Sequence, residues 1–289
     1  MRAALTALGD ELRRLRAAGV KHIAVSDEAI AALRRTAASR KRVPAPQAAE
    51  PEPAAKPAAK PAAPALPSGP VVTLPAGDKA ARWAALKSAV QADPVCRAHV
   101  RPGMQVVLGV GNLDAAVMFV GEAPGAEEEV QGEPFVGPAG QLLNRMISGM
   151  GLAREQVYIG NIMNWRPELP VSADGKQYGN RPPTAAEMAY CLPYLKAQIS
   201  VVDPAILVAL GSTAAQGLLG PGSFKTLGEV RGTWREFAGK PLMITYHPSY
   251  ILRNPTNRSK RLIWEDLLKV MGRAGMTISE KQQGYFLEK

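Results

Sequence analysis

A chain of 289 residues, 46% hydrophobic and 21% charged, is long enough for one sizeable folded domain with extensions and is ordinary in composition for a globular protein. Its net charge of +10 and sequence pI of about 9.7 point to an acidic partner, nucleic acid first. Its two cysteines, Cys96 and Cys191, exclude a disulfide framework and any all-cysteine metal cluster held by a single chain, and no apolar run reaches the length of a membrane span.

Residues 1–42 read as one or two short helices. Leu5, Leu8, Leu12 and Leu15 recur at helical spacing, with Arg13, Arg14 and Arg16 on the flanks. The start has no continuous apolar core and meets Asp10 and Glu11 early, so it does not read as a signal peptide. The expected location is the cytoplasm, associated with the nucleoid. Residues 43–76 shift sharply to Pro, Ala, Lys and Glu, with almost nothing to bury, and read as a semi-stiff solvated linker. A folded domain is expected over 77–274, followed by a polar C-terminal tail, 275–289.

Within that domain, 78–91 has the spacing of an amphipathic helix, with Trp83, Leu86 and Val90 on one side. Residues 106–108 read as a short strand-like segment. Four apolar runs follow, at 115–120, 156–162, 205–210 and 241–246, and helical stretches at 140–151 and 184–201 fill the first two gaps. Short apolar runs alternating with helices predict an α/β domain with a parallel sheet covered on both faces. Ligands of such sheets bind beyond the carboxyl ends of the strands, and Glu122, Asn161, Gly211 and His247 fall at or near those ends. A last helix is expected over 262–271.

The segment Gly121-Glu122-Ala123-Pro124-Gly125 leaves a strand and enters Glu127-Glu128-Glu129. Its glycines permit close approach of backbone to a ligand, while the three glutamates argue against a phosphate cradle. Gly109-Val110-Gly111 precedes a strand and so fails the dinucleotide-loop context. Phe135, in Pro134-Phe135-Val136-Gly137, is either core or a face on which a base stacks, worth about 1–3 kcal/mol. Asn161 either caps a turn or reads a base edge with one acceptor and two donors. His247, in His247-Pro248-Ser249, is either structural or a neutral donor to charge developing on a leaving base, contributing on the order of 3 kcal/mol. Tyr250-Ile251-Leu252-Arg253 and the basic Arg258, Lys260 and Arg261 suit a loop that enters a base stack and holds phosphates.

From about Val106 to Met271 the chain resembles the uracil-DNA glycosylase superfamily, most closely its family 4. The resemblance is carried by GEAPG and PFVG, the strand with Asn161, Arg166-Pro167, Asn180-Arg181-Pro182, the helix with Cys191, Ala209-Leu210-Gly211, Arg231-Gly232 and His247 to Arg253. It implies a three-layer α/β/α sandwich on a central four-stranded parallel sheet. It also implies a monofunctional enzyme that flips uracil from DNA and hydrolyses the N-glycosidic bond, starting base-excision repair. By the same resemblance Phe135 stacks on uracil, Asn161 reads its edge and His247 stabilises the leaving base. The expected catalytic set is His247, Glu122 and Asn161. Gly121, Ala123, Glu128, Phe135, Asn161 and Asn180 are expected to bind substrate. Ser249, Tyr250, Arg253, Arg258, Lys260 and Arg261 are expected to contact DNA. Two other classes stay open: a glycosylase for hypoxanthine or xanthine, and a non-catalytic lesion-binding module.

The chain departs from the family in three places. Family 4 carries four cysteines for an iron–sulfur cluster; here Cys191 matches one, Trp165 replaces another and the Cys-x-x-Cys pair is reduced to Cys96. No cofactor is therefore expected, and Trp165 is expected to fill the vacated space. Ala123 stands where sister families place a water-positioning aspartate, which leaves Glu122 as a candidate. Residues 168–180 lengthen a loop that a related branch uses, with a histidine, to trap abasic DNA; this one has no histidine, so turnover is expected. Gln282-Gln283-Gly284-Tyr285-Phe286 resembles the bacterial sliding-clamp peptide, which makes a sliding clamp a second candidate partner.

Overall fold

The computed structural model describes residues 66–287 apart from 173, 174 and 176, together with Glu28. The expectations for 1–42 and for most of the linker lie outside the described residues. Leu66, Val72 and Leu74, near the linker's end, pack against the folded core.

Helices α1 (Lys79–Ala92) and α2 (Pro94–Ala98) open the domain. Asp78 caps α1 by accepting from Ala81 N at 2.7 Å, and Asp93 caps α2 by accepting from Cys96 N at 2.7 Å. There follow β1 (Val110–Gly111), β2 (Val117–Gly121), α3 (Ala126–Gln131), α4 (Pro138–Gly149), β3 (Tyr158–Asn161), α5 (Ala185–Val202), β4 (Ile206–Leu210), α6 (Ser212–Leu219) and α7 (Leu227–Val230). The chain continues through β5 (Trp234–Phe237), β6 (Lys240–Thr245), α8 (Pro248–Arg253), α9 (Asn257–Arg273) and α10 (Glu280–Gln283).

Among the described residues the sheet has six strands in the order β1-β3-β2-β4-β6-β5. The central four, β3, β2, β4 and β6, are mutually parallel, as expected. Antiparallel β1 and β5 extend the two edges. Alternate side chains of each central strand feed opposite layers. Met118, Val120, Leu207, Ala209, Leu242 and Ile244 share a buried cluster with residues of α1, α5 and α6. Val117, Phe119, Ile206, Val208 and Met243 share the other cluster with residues of α4 and α9. Burial on both faces is why these strands read as unbroken apolar runs, and truncating a filled position such as Phe119 to alanine costs about 3–5 kcal/mol.

Several elements differ from expectation. Residues 106–108 stay outside the ladder: Val107 N donates to Asn164 O at 2.8 Å and Val107 O accepts from Asn164 Nδ2 at 3.1 Å. Strand β5 pairs with β6 through a turn whose Ala238 and Gly239 sit at φ 51° and 73°, the two left-handed residues of a tight hairpin. Helix α9 begins at Asn257 because Thr256 caps it, accepting from Ser259 N at 3.1 Å. The expected loop after His247 is α8, started by Pro248 at its first position. The tail packs rather than floats, since Met276, Ile278 and Tyr285 lie against the core.

Candidate active site

The carboxyl ends of β2, β3, β4 and β6 open onto one cavity of about 630 Å³. Glu122 and Ala123 leave β2, Asn161 ends β3, Gly211 follows β4 and His247 follows β6. Phe135, Glu128, Asn180, Ser249, Tyr250 and Arg253 complete the wall with them. The fold therefore brings together most of the residues that the sequence singles out.

Gly121 is where β2 must have no side chain. A Cβ there would overlap Asn161 Oδ1 and the Phe135 ring. Asn161 is 6% exposed, and its Oδ1 has no hydrogen-bond partner among the described residues. A buried carbonyl of this kind costs about 1–3 kcal/mol until something donates to it. The Phe135 ring lies 5.6 Å from the His247 ring, centroid to centroid, at 30°. One aromatic face, one amide and one imidazole thus converge on the same space.

His247 caps α8. Its Nδ1 accepts from Ser249 N at 3.2 Å and lies 2.9 Å from Ser249 Oγ. An accepting Nδ1 carries no proton, so the neutral ring carries it on Nε2 and presents a donor there. Burial, aided by the positive charge of Arg253, pulls its pKa down to about 4. Gly211, at φ 95°, lets β4 end against His247, where a Cβ would sit 3.0 Å from that of the histidine.

Burial raises the Glu122 carboxyl above its ordinary value, against the lowering effect of a hydrogen bond with Thr213. Thr213 also lines the cavity but carries no sequence signal of its own. Glu128 spends its carboxylate on backbone: it accepts from Gly125 N at 3.1 Å, Val136 N at 3.1 Å and Gly137 N at 3.0 Å. Asn180 Oδ1 accepts from Arg166 Nε at 2.8 Å, while Arg166 Nη1 pairs with the buried Glu129 at 2.7 Å. The other end of the Asn180 amide, Nδ2, lies beside Gly125, 3.9 Å from where a Cβ would be. Of the three glutamates read as a repelling cluster, Glu128 and Glu129 are so engaged.

Three expected DNA contacts are absent from the cavity wall. Arg261 pairs with Glu265 at 2.9 Å and donates to Gln283 O and Tyr285 O. Lys260 lies over the Phe286 ring at 5.8 Å, and Arg258 is exposed on the first turn of α9. Arg253 does line the cavity and donates to Ser249 Oγ at 3.2 Å. Next to it Leu252 is 46% exposed while Ile251 is buried. In the tail Gln282 Nε2 donates to Gly149 O at 2.9 Å, so the docked glutamine gives the clamp reading no support.

The iron–sulfur expectation is tested by the residues around Cys96 and Cys191. Both are buried and free, and Trp165, 1% exposed, shares their cluster. Trp165 stacks on His99 at 4.9 Å and tilts against Tyr190 at 6.1 Å. Asp93, three residues before Cys96, accepts from Tyr190 OH at 2.9 Å and Tyr194 OH at 2.7 Å besides capping α2. Two thiols, an indole and a carboxylate already saturated with donors do not fit a four-thiolate cluster. No group of three His, Cys, Asp or Glu able to hold a metal occurs among the described residues.

The uracil DNA glycosylase superfamily matches residues 108–268. A Type-4 uracil-DNA glycosylase of Thermotoga maritima is 42% identical over 165 residues, 57% of this chain and 80% of the relative. One of Archaeoglobus fulgidus is 41% identical over 160 residues, 53% of this chain and 75% of the relative. A Type-5 uracil-DNA glycosylase of Pyrobaculum aerophilum is 30% identical over 179 residues, 57% of this chain and 73% of the relative.

Proposed function

The chain belongs to the uracil-DNA glycosylase superfamily, and we propose that it is a monofunctional glycosylase that flips uracil from DNA and hydrolyses its N-glycosidic bond. The abasic site it leaves is the first intermediate of base-excision repair. The observation that carries this reading is the orphaned Asn161 carbonyl, buried beside Gly121 where the Phe135 ring also lies. Uracil presents N3–H to that carbonyl and O4 to the amide nitrogen of Asn161. Cytosine presents the reverse pattern and leaves both groups unpaired, which is how a fixed amide discriminates strongly.

The base stacks on Phe135 once it has left the duplex, and Leu252 enters the gap. The bond from C1′ to N1 then breaks, its electron pair leaving with the base and spreading to O2. His247 Nε2–H, neutral and aimed at that developing charge, stabilises the uracilate. Water adds to C1′ and passes a proton to Glu122, whose raised pKa makes it a stronger base than an ordinary carboxylate. Arg166 holds the Asn180 oxygen, which leaves Nδ2 as the end of that amide to donate to the substrate.

The test is uracil release from a single-uracil oligonucleotide, with His247→Ala alongside. Release that collapses about 100- to 1000-fold in the variant supports the reading. Tight binding of uracil DNA with no release by the native chain would overturn it.

A further inference from the structure

We propose that Arg154 is a positioning residue for uracil excision, acting at a distance by holding the stacking ring of Phe135 in place. The inference rests on the reading that Phe135 stacks on the base. Phe135 sits at φ 55°, a left-handed conformation that costs any residue with a side chain and persists only where the surroundings impose it. Those surroundings can be named. On one side Gly140 of α4 lies so close that a Cβ would overlap the Phe135 carbonyl. On another, Gly121 meets the ring itself. Neither contact pulls the backbone into its turn; each only blocks the way out.

The pull comes from two charged groups of opposite sign. Arg154 Nη2 donates to Pro134 O at 2.6 Å and Nη1 to Phe135 O at 3.2 Å, so one guanidinium holds both carbonyls that flank the strained residue. Nη1 also donates to Asn144 Oδ1 at 3.0 Å, which anchors the group to α4. Just beyond, the Glu128 carboxylate accepts from the amides of Val136 and Gly137. The carbonyls of Pro134 and Phe135 and the amides of Val136 and Gly137 are thus each held by a charged side chain. Arg154 does not line the cavity and begins the short turn that leads into β3, the strand ending at Asn161. It therefore ties the stacking ring to the strand that carries the base-reading amide. Two carbonyls held at once require a planar fork, which lysine lacks.

The experiment uses the full chain with Arg154→Met, Arg154→Lys, Phe135→Ala and the double variant Phe135→Ala/Arg154→Met. Uracil release gives kcat/KM and a thermal melt monitors folding. Phe135→Ala is expected to lose about 5- to 100-fold in kcat/KM, the span of one lost base–aromatic stack. Arg154→Met should lose a similar factor in the native background and none in the Phe135→Ala background, since it acts only through that ring. Arg154→Lys should not rescue, and it carries the same test if the methionine variant does not fold. Loss on Phe135→Ala with native kcat/KM for both Arg154 variants would overturn the role of Arg154 alone. Equal loss from Arg154→Met in both backgrounds would make it a general structural residue. No loss on Phe135→Ala would overturn the stacking reading and this inference with it.

Discussion

A histidine that stabilises a leaving base by donating a hydrogen bond must stay neutral where it works, and His247 is held so by burial and by Arg253. Its pKa of about 4 predicts that uracil release does not fall as pH drops through 6.5. The acid limb should instead follow Glu122, whose carboxyl is raised, and a pH profile of Glu122→Gln should lack that limb. A break near 6.5 that persists in Glu122→Gln would remove the neutral-donor role. The same shift has a stability sign. Between about 4 and 6.5 the unfolded chain binds a proton that the folded one refuses, so stability rises with pH across that window and is lost as pH falls toward 4. Asn161→Asp keeps an acceptor for N3–H but loses the donor to O4, so uracil excision should weaken by 10-fold or more, about 1.4 kcal/mol. Unchanged excision in that variant would undo the assigned role. His247 and Asn161 were legible in the sequence because each stands at the end of an apolar run, and Phe135 because it stands in Pro134-Phe135-Val136-Gly137. Thr213 and Arg154 were not, because they act on partners tens of residues away and no local pattern marks them.

The stretch from His247 to Arg261 folds as two helices rather than one loop. Pro248 fixes the start of α8 and Thr256 caps α9, signals that were present but outweighed by the density of polar residues between them. The consequence is a division of labour. Ile251 faces the core and Leu252 faces out, so Leu252 is the apolar group able to enter a base stack. Leu252→Ala should weaken uracil release from duplex DNA by roughly 10-fold while affecting single-stranded DNA less, since only the duplex has a gap to fill. Equal losses on both substrates would argue against a wedge. Arg261 anchors the tail to α9, and α9 itself is pinned to β6 by the buried Asp266, which accepts from Arg231 and Thr245. The four central strands were readable because both faces are buried. Strand β5, with Arg235 and Glu236 exposed, offered no apolar run, and the Ala-Gly turn that closes its hairpin lacks the usual asparagine.

Helices α1, α2 and α5 are joined where the family resemblance would place a metal cluster. Here the joint is Asp93, whose carboxylate accepts from Cys96 N, Tyr190 OH and Tyr194 OH, with Trp165 and His99 stacked beside it. Burial alone would raise this carboxyl, but the bonds from Cys96, Tyr194 and Tyr190 together hold it below its ordinary value. A depressed carboxyl stabilises the fold fully above the unfolded pKa of about 3.8 and loses that contribution as pH falls toward the folded value. Asp93→Ala leaves one buried amide and two buried hydroxyls without an acceptor, so it should cost roughly 3 kcal/mol or more and lower the Tm. Its loss of stability relative to the native chain should be largest at neutral pH and shrink as pH falls below about 3.8, where the unfolded chain takes up a proton that the folded carboxylate still refuses. Iron and acid-labile sulfide measured on the native chain should be far below stoichiometric, with uracil release unaffected by chelators. Stoichiometric iron, or an Asp93→Ala variant as stable as the native chain, would show that the joint is made some other way.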